Sequence, residues 1–311
     1  MAAESLGVRS LCCVVNSPGR KILIDPGVAL GYTRFRLLPH PFQVAVDERI
    51  QKRIIHEWAN ATDIVISHFH GDHVPLAHAN PYQLAIEKVA SLNPDAVIWA
   101  KSSHLSPMET KRAHAFSKAL NNTIIPAKGK SGGILCFSQP VPHGKVEGLE
   151  RVIMTRIEDD FTFVHASDIQ LLNDEAISQI VSWRPDIVLT SGPPLYLHKL
   201  SEHDVEKAWR NALILSQRTA TLIIDHHLLR GLEGAEWLER LSLKAPRNVT
   251  CGADFMGRPR MLLEARRPQL YEEMQVPEDW HDAYAQAMAC TDPYWDLARK
   301  LHAKEKFENY R

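Results

Sequence analysis

The segment TDIVISHFHGDH runs from an apolar strand pattern directly into a dense group of ionisable side chains. In an extended segment His68 and His70 point to the same side, because side chains alternate with a period of two. Gly71 permits a sharp bend, after which Asp72 and His73 can face a neighbouring point. Nitrogen and oxygen donors this close together suit a divalent metal such as zinc. The chain must therefore fold so that the end of a strand presents a metal site.

The rest of the sequence alternates between strand and helix patterns. Ser106 and Glu109 predict a capping box at the start of one helix, and Asp159 and Asp160 predict a hairpin turn between two strands. Strand patterns dominate early, strand–helix alternation follows, and only helix patterns occur after about residue 252. Mixed layers fit this order better than a purely parallel sheet, so we predict an α+β fold with a C-terminal helical extension.

Composition limits the classes of function. The 311 residues carry a formal net charge of −1, which suits one large domain without a general attraction to nucleic acid or to an anionic membrane. The N-terminal segment MAAESLGVRSLCCVVNSPGR matches neither a signal peptide nor a membrane span. Five cysteines without a CxxC pair indicate a reduced protein. We therefore expect a cytoplasmic protein with no membrane partner.

The motif HFHGDH resembles the metal motif of the metallo-β-lactamase superfamily. The later ligands of that superfamily are matched in chain order by Asp25 in KILIDPG, His143 in QPVPHG, Asp168 in FVHASD and a histidine in LIIDHH. The resemblance covers about residues 9–230. The stretches DHHLLR and DFMGRPRMLLEARRPQLYEEM further resemble an archaeal branch of the superfamily that is described as predicted metal-dependent nucleases or hydrolases.

This resemblance implies a site with two metal ions. The first ion would be held by His68, His70 and His143. The second would be held by Asp72, His73 and the late histidine, and Asp168 would bridge the two ions. For the late histidine the resemblance favours His226, just beyond the last strand residue, with His227 as the second choice. Asp25 would orient a ligand through a hydrogen bond. Zinc is the expected metal, and manganese and iron are the alternatives.

The resemblance also implies a fold and a domain organisation. The fold would be a four-layer αββα sandwich with the metals in a cleft along one edge of its two sheets. Residues 1–251 would form the metallo-β-lactamase-like domain. Residues 252–311 would be a helical extension packed on the same domain, although their apolar face could instead pack on a second subunit and form an oligomer.

The implied activity is metal-dependent hydrolysis. Hydroxide bridging the two ions would attack the substrate, and Asp72 would orient the attacking water or pass a proton to the leaving group. The sequence contains no G-x-S-x-G elbow, Walker loop or G-x-G-x-x-G fingerprint that would indicate another mechanism. The chain is therefore expected to be an enzyme.

Four arginines near the C-terminus bear on the class of substrate. Arg258, Arg260, Arg266 and Arg267 could contact phosphate, or could simply belong to a solvated surface segment. If they contact phosphate, the substrate is a phosphodiester or another anion, either a small molecule or nucleic acid. The alternatives are a lactone, ester or thioester hydrolase of the same fold, and a metal-binding protein without enzymatic activity.

Overall fold

The computed structural model describes residues 2–145, 150–197 and 199–301 and shows a mixed α/β fold. The first six strands form one sheet in their chain order. They are β1 (Ala2–Ala3), β2 (Leu11–Ser17), β3 (Arg20–Ile24), β4 (Asp63–Ile66), β5 (Val97–Ala100) and β6 (Ile124–Pro126). Strands β1 to β3 pair antiparallel, and β3 to β6 pair parallel.

The later strands form a second large sheet and a short separate pair. These strands are β7 (Ser131–Gly132), β8 (Leu135–Phe137), β9 (Val141–Pro142), β10 (Arg151–Val152), β11 (Thr155–Glu158), β12 (Thr162–His165), β13 (Ile187–Thr190), β14 (Thr221–Ile224) and β15 (Asn248–Thr250). The second sheet has the order β15-β14-β13-β12-β11-β8-β7, and β9 pairs with β10. Strands β11 and β12 pair antiparallel around the predicted turn at Asp159 and Asp160, which confirms that hairpin.

The helices of the described residues connect and flank these sheets. They are α1 (Pro41–Ala59), α2 (Pro107–Ala119), α3 (Asp174–Ser182), α4 (Glu202–Arg218), α5 (Leu232–Lys244), α6 (Gly252–Phe255), α7 (Arg267–Glu273), α8 (Trp280–Ala285) and α9 (Asp292–Leu301). The predicted capping box of α2 is confirmed, because Ser106 and Glu109 exchange side-chain and backbone hydrogen bonds. None of the described helices is long and apolar enough to cross a membrane.

The two large sheets share one apolar cluster. Strand side chains alternate between two faces, so each sheet can bury one face against the other sheet. The cluster combines buried residues of both sheets, namely Leu11, Cys13, Ile22, Ile24 and Val65 from the first, and Leu135, Phe137, Ile157, Phe163, Leu189 and Ile223 from the second. A second, larger cluster joins the opposite strand faces to the helices, including α1, α4 and α5.

The C-terminal helices pack on the N-terminal helix. The ring of Trp295 lies 5.6 Å from that of Phe42, and the side chains of Tyr284 and Thr291 donate hydrogen bonds to Glu48. These contacts join α8 and α9 to α1. Residues 302–311 of the predicted extension lie outside the described residues.

Asp47 is a carboxyl group in the buried face of α1. Burial raises its pKa to about 7, although a hydrogen bond from Gln51 opposes the rise. Between about pH 4 and pH 7 the unfolded chain releases this proton while the folded chain keeps it, so the free energy of unfolding falls as the pH rises. At about 1.4 kcal/mol per pKa unit, a rise from 3.8 to about 7 makes the loss on the order of 4 kcal/mol.

We therefore expect Asp47→Asn to raise the melting temperature at pH 8 by on the order of 5 °C and to change it little at pH 4. Thermal unfolding followed by circular dichroism at both pH values measures this. Asp95→Asn, at an exposed position, is the matched control and should behave as the wild type. An equal effect of Asp47→Asn at both pH values would contradict the buried, protonated carboxyl.

Candidate metal centre

The predicted ligands and the orienting residue Asp25 all follow the carboxyl ends of strands. Asp25 follows β3, the HFHGDH motif follows β4, His143 follows β9, Asp168 follows β12, and the histidine pair 226–227 follows β14. Strands β3 and β4 are parallel neighbours in the first sheet, and β12, β13 and β14 are parallel neighbours in the second. Parallel strands present their carboxyl ends at one sheet edge, which is why residues far apart in sequence meet here.

Asp168 lies at the middle of this group. Its Oδ1 atom is 3.2 Å from Nε2 of His73 and 3.6 Å from Nε2 of His226. Its Oδ2 atom is 3.4 Å from Nε2 of both His68 and His227. One buried carboxylate therefore faces two pairs of imidazoles, with a different oxygen toward each pair.

Four overlapping groups of side chains in the described part of the chain could hold a metal ion, each with ligand atoms within 4.8 Å of one another. They are Asp25–His68–His73, His68–His70–Asp168, Asp72–His73–His226 and Asp168–His226–His227. The third group is the set that the resemblance implied for the second ion. The second group contains two of the three residues implied for the first ion, with Asp168 as the third member.

His143 stands slightly apart from these groups. Its ring lies 6.1 Å from that of His70 and 6.4 Å from that of His227. Its Nε2 is 2.7 Å from a carboxylate oxygen of Glu150, and its Nδ1 is 3.1 Å from the amide nitrogen of Gln170. The structure thus places His143 at the side of the cluster next to His70, and its role as a ligand stays a prediction.

The donor set fits a divalent ion. In the described chain, Nε2 of His68 and Oδ1 of Asp168 are buried without a hydrogen-bond partner. Burial and the neighbouring charge of His73 lower the pKa of His68 to about 3, and burial and the charge of Arg230 lower that of His226 to about 4. Both rings are therefore neutral near pH 7, and His68 keeps the lone pair of its unpartnered Nε2 for a cation. Buried polar atoms without a partner lower the stability of the fold unless a ligand such as a metal ion binds them.

Asp25 organises the backbone and side chains around the cluster. Its Oδ1 accepts a hydrogen bond from the Ser67 amide, and its Oδ2 lies within hydrogen-bond distance of Ser67 Oγ, Ser167 Oγ and His73 Nδ1. Burial opposes ionisation of Asp25, but the bond with His73 lowers its pKa to about 2. An ionised Asp25 holds the Nδ1 proton of His73 and turns Nε2 toward Asp168.

The backbone at this edge is strained at three residues. Asp25, Ser167 and His226 have φ values of 49°, 51° and 43°, in the left-handed region that favours glycine. Each lies at or beside a predicted ligand, where strain of about 1–3 kcal/mol is kept only if the surrounding structure enforces it. The turn at His226 also explains how both His226 and His227 reach Asp168.

Two charged residues of the site were not predicted. Arg230 is buried, and its Nη2 donates to Asp72 Oδ2 at 3.0 Å and to His226 Nε2 at 2.6 Å. The usable signal was the stretch DHHLLR, which ends at Arg230. Glu150 Oε1 lies 3.5 Å from His70 Nε2, and no sequence feature marked it.

The prediction that Arg267 contacts substrate is wrong. Its side chain is fully buried, and it donates to Gln43 Oε1 and to the carbonyl oxygen of Leu37, each at 2.9 Å. A guanidinium enclosed and hydrogen-bonded in this way is not accessible to a substrate. Its hydrogen bonds join the start of α7 to α1 and to the segment around Leu37.

The other three arginines of that segment lie in different surroundings. Arg260 is paired with Asp254 and Glu239, so carboxylates already occupy its guanidinium. Arg258 lines a cavity of about 260 Å³ together with Asn16, Lys21 and Glu57, among others. Arg266 is exposed at the start of α7. Substrate contacts of Arg258 and Arg266 stay predictions, and the ion pairs of Arg260 argue against its contact.

Comparison with known proteins places the chain in a family. No protein-family model matches it. It is 46% identical to a UPF0282 protein of Methanosarcina mazei, over 94% of this chain and 98% of that protein. It is 37% identical to a UPF0282 protein of Thermococcus gammatolerans, over 88% of this chain and 94% of that protein. It is 35% identical to a UPF0282 protein of Pyrococcus furiosus, over 88% of this chain and 91% of that protein.

One solved structure is also similar, a diphosphatase described as belonging to the PhnP family. Its TM-score is 0.45 at 15% identity, covering 78% of this chain and 80% of that chain. Similarity this low supports no conclusion about activity. The sequence identities and their coverage do decide the family: this chain belongs to the UPF0282 family.

Proposed function

We propose that this protein is a hydrolase that uses two divalent metal ions to cleave a phosphodiester or another anionic substrate. Zinc is the expected metal. The observation that carries the proposal is the position of Asp168, one buried carboxylate that faces His73 and His226 with one oxygen and His68 and His227 with the other. A carboxylate between two sets of imidazoles is the arrangement expected of a bridging ligand in a two-metal site.

The ions would be divided between two groups of side chains. His68, His70 and His143 would hold one ion, Asp72, His73 and His226 the other, and Asp168 both. When bound, such ions activate water as a nucleophile and stabilise the negative oxygen that forms on the substrate. Asp25 fixes the orientation of His73. Arg230, itself paired with Glu4, fixes the orientation of Asp72.

Asp72 is proposed as the catalytic residue of the chain. Its side chain is 18% exposed, whereas those of Asp168 and Asp25 are 1% and 0% exposed. Of these carboxylates it is therefore the one that a substrate and its attacking water can reach. In hydrolysis water adds to the phosphorus, the ester P–O bond breaks, and the leaving oxygen takes up a proton. Asp72 would orient the water or carry that proton.

We also propose the finer architecture that the sequence suggested. The four-layer αββα sandwich would be residues 1–251, and residues 252–311 would belong to the same folding unit. The apolar cluster common to both sheets supports the layer order. The contacts of Trp295 and Tyr284 with α1 support the packing of the extension on the same chain and not on a second subunit.

The first prediction concerns the metal content of the reconstituted protein. After chelation and reconstitution with zinc, manganese or iron, elemental analysis should find about two ions per chain. Bound metal should raise the melting temperature, because a ligand that binds only the folded state stabilises it. A chain that takes up none of the three metals, with its melting temperature unchanged, would refute the proposed centre.

A substrate panel tests the reaction class. The reconstituted protein is assayed with bis(p-nitrophenyl) phosphate, a lactone, a thioester and a short RNA. We expect turnover of the phosphodiesters. Turnover confined to the lactone or the thioester would contradict the phosphodiester proposal, and a metal-loaded protein without turnover on any substrate would contradict the hydrolase itself.

A further inference from the structure

A strained two-residue turn lies close to the metal centre. The amide of Arg34 donates to the carbonyl of Leu37 at 3.0 Å, and the amide of Leu37 donates to the carbonyl of Arg34 at 2.9 Å. The two residues between them, Phe35 and Arg36, have φ values of 54° and 63°. Tight hairpin turns with two positive φ values strongly prefer asparagine and glycine. A phenylalanine and an arginine at these positions are therefore kept at a conformational cost.

That cost is not offset by burial of the side chains at the turn. Phe35 is 51% exposed and Tyr32, just before the turn, is 56% exposed, and Arg36 is exposed as well. The Tyr32 ring lies 6.0 Å from that of Tyr82, and the Phe35 ring lies beside the Arg34 guanidinium, but contacts at half-exposed rings stabilise the folded chain little. Strained residues that contribute little to packing are found at binding sites more often than elsewhere.

The segment that carries these residues is held firmly at both ends. Before the turn, the Leu30 amide donates to the Tyr82 carbonyl at 2.9 Å. Gly31 lies so close to Arg9 that a Cβ atom there would be 2.3 Å from the guanidinium. After the turn, Arg267 donates to the Leu37 carbonyl. The exposed rings are thus presented on a fixed support, which lowers the conformational entropy lost when a ligand binds.

A short chain of contacts connects the turn to the predicted ligands. The Arg34 guanidinium lies 4.9 Å from the centre of the Phe35 ring and 4.6 Å from that of Tyr196, and it donates to the Arg230 carbonyl at 3.3 Å. Arg230 in turn donates to Asp72. Arg34, at the start of the turn, is therefore linked to Asp72 through Arg230.

We propose that Tyr32 and Phe35 bind a planar aromatic group attached to the phosphate that the metal centre holds, with Arg34 and Arg36 supplying positive charge beside it. A nucleobase joined to a phosphate through its sugar has this chemistry. Stacking on exposed rings and cationic guanidinium groups is how proteins hold unpaired bases. This inference rests on the proposed function and names its substrate class, a nucleoside phosphate ester.

The test compares two ligands that differ by the base. Binding of uridine 5′-monophosphate and of ribose 5-phosphate to the metal-loaded protein is measured by calorimetry. We expect the wild type to bind uridine monophosphate at least about tenfold more tightly. Tyr32→Ala and Phe35→Ala should each remove most of that preference. Phe161→Ala, an exposed phenylalanine in the hairpin between β11 and β12, is the matched control and should retain it.

A further variant separates binding from packing. Phe35→Gly removes the ring and also relieves the positive φ, so it should lose the base preference while raising the melting temperature by about 2 °C. A preference kept by Phe35→Gly and Tyr32→Ala would overturn the inference, and so would equal binding of the two ligands by the wild type.

Hydrolysis assays then distinguish a small substrate from a strand. A uridine dinucleotide and a ten-nucleotide RNA are compared by kcat/KM in the wild type and in Phe35→Ala. A lower kcat/KM in Phe35→Ala on either substrate supports the inference. The substrate with the higher kcat/KM in the wild type shows whether the base belongs to a small molecule or to a strand. If phosphodiesters are hydrolysed but the base has no effect on binding, the inference fails and the proposed function stands. If none is hydrolysed but uridine monophosphate binds through its base, the proposed function fails instead.

Discussion

Asp168→Asn is expected to reduce the bound metal from about two ions to fewer than one per chain and to lower kcat/KM by at least about a thousandfold. The reason is that both oxygens of Asp168 face imidazoles, so a neutral amide would present a nitrogen donor to one pair of them. An amide also lacks the negative charge that offsets two divalent ions in a buried site. Elemental analysis and the phosphodiester assay on the same preparation measure both effects.

Loss of folding must be separated from loss of metal in that variant. Circular dichroism should show a folded chain, and its melting temperature should no longer rise when metal is added. Asp160→Asn, an exposed aspartate in the hairpin beyond β11, is the matched control and should bind metal and turn over substrate as the wild type does. Two ions and full activity in Asp168→Asn would exclude the bridging position.

Asp72→Asn is expected to lower kcat by at least about a hundredfold, the lower range for a positioned acid–base group. The substitution keeps the shape of the side chain but removes its charge and basicity. It also removes one of the two carboxylates paired with Arg230, whose guanidinium is 3.0 Å from Asp72 Oδ2. Because Asp72 is one of several predicted ligands, some metal should remain, and kcat must be compared at measured metal content.

The alternative for Asp72 is a purely structural role. Asp72→Glu keeps the charge but displaces it by one methylene, so it should recover part of the activity if proton transfer or water orientation is the function. The pH dependence of kcat should also differ between the wild type and Asp72→Asn. Near-normal kcat at full metal occupancy in Asp72→Asn would leave Asp72 as a ligand only.

Local sequence determined the core of the candidate site. His68, His70 and His73 lie within six residues after a strand. Their rings are neighbours in the structure, because the centre of the His68 ring lies 4.4 Å from that of His70 and 4.2 Å from that of His73. The strand patterns before HFHGDH and before the histidine pair predicted β4 and β14, and both strands are buried apart from Thr221, which is partly buried. Such features depend on side-chain alternation and burial within a few residues.

The short strands β5 and β6 were not predicted. Each has three or four residues, and β5 alternates between buried and partly buried positions over too short a length to distinguish it from a loop. They form because neighbouring strands in the same sheet satisfy their backbone hydrogen bonds. Their existence is therefore decided by the sheet and not by their own residues.

Only the tertiary structure decided which distant residues complete the site. His226 and His227 were alternatives by sequence, but the positive φ of His226 turns both toward Asp168. Arg230 joined the site because the carboxyl end of β14 lies beside the HFHGDH loop. Arg267, in a run of charge that suggested a surface, is buried instead. Local periodicity carries no information about contacts between segments more than a hundred residues apart, since those depend on the pairing and packing of the sheets.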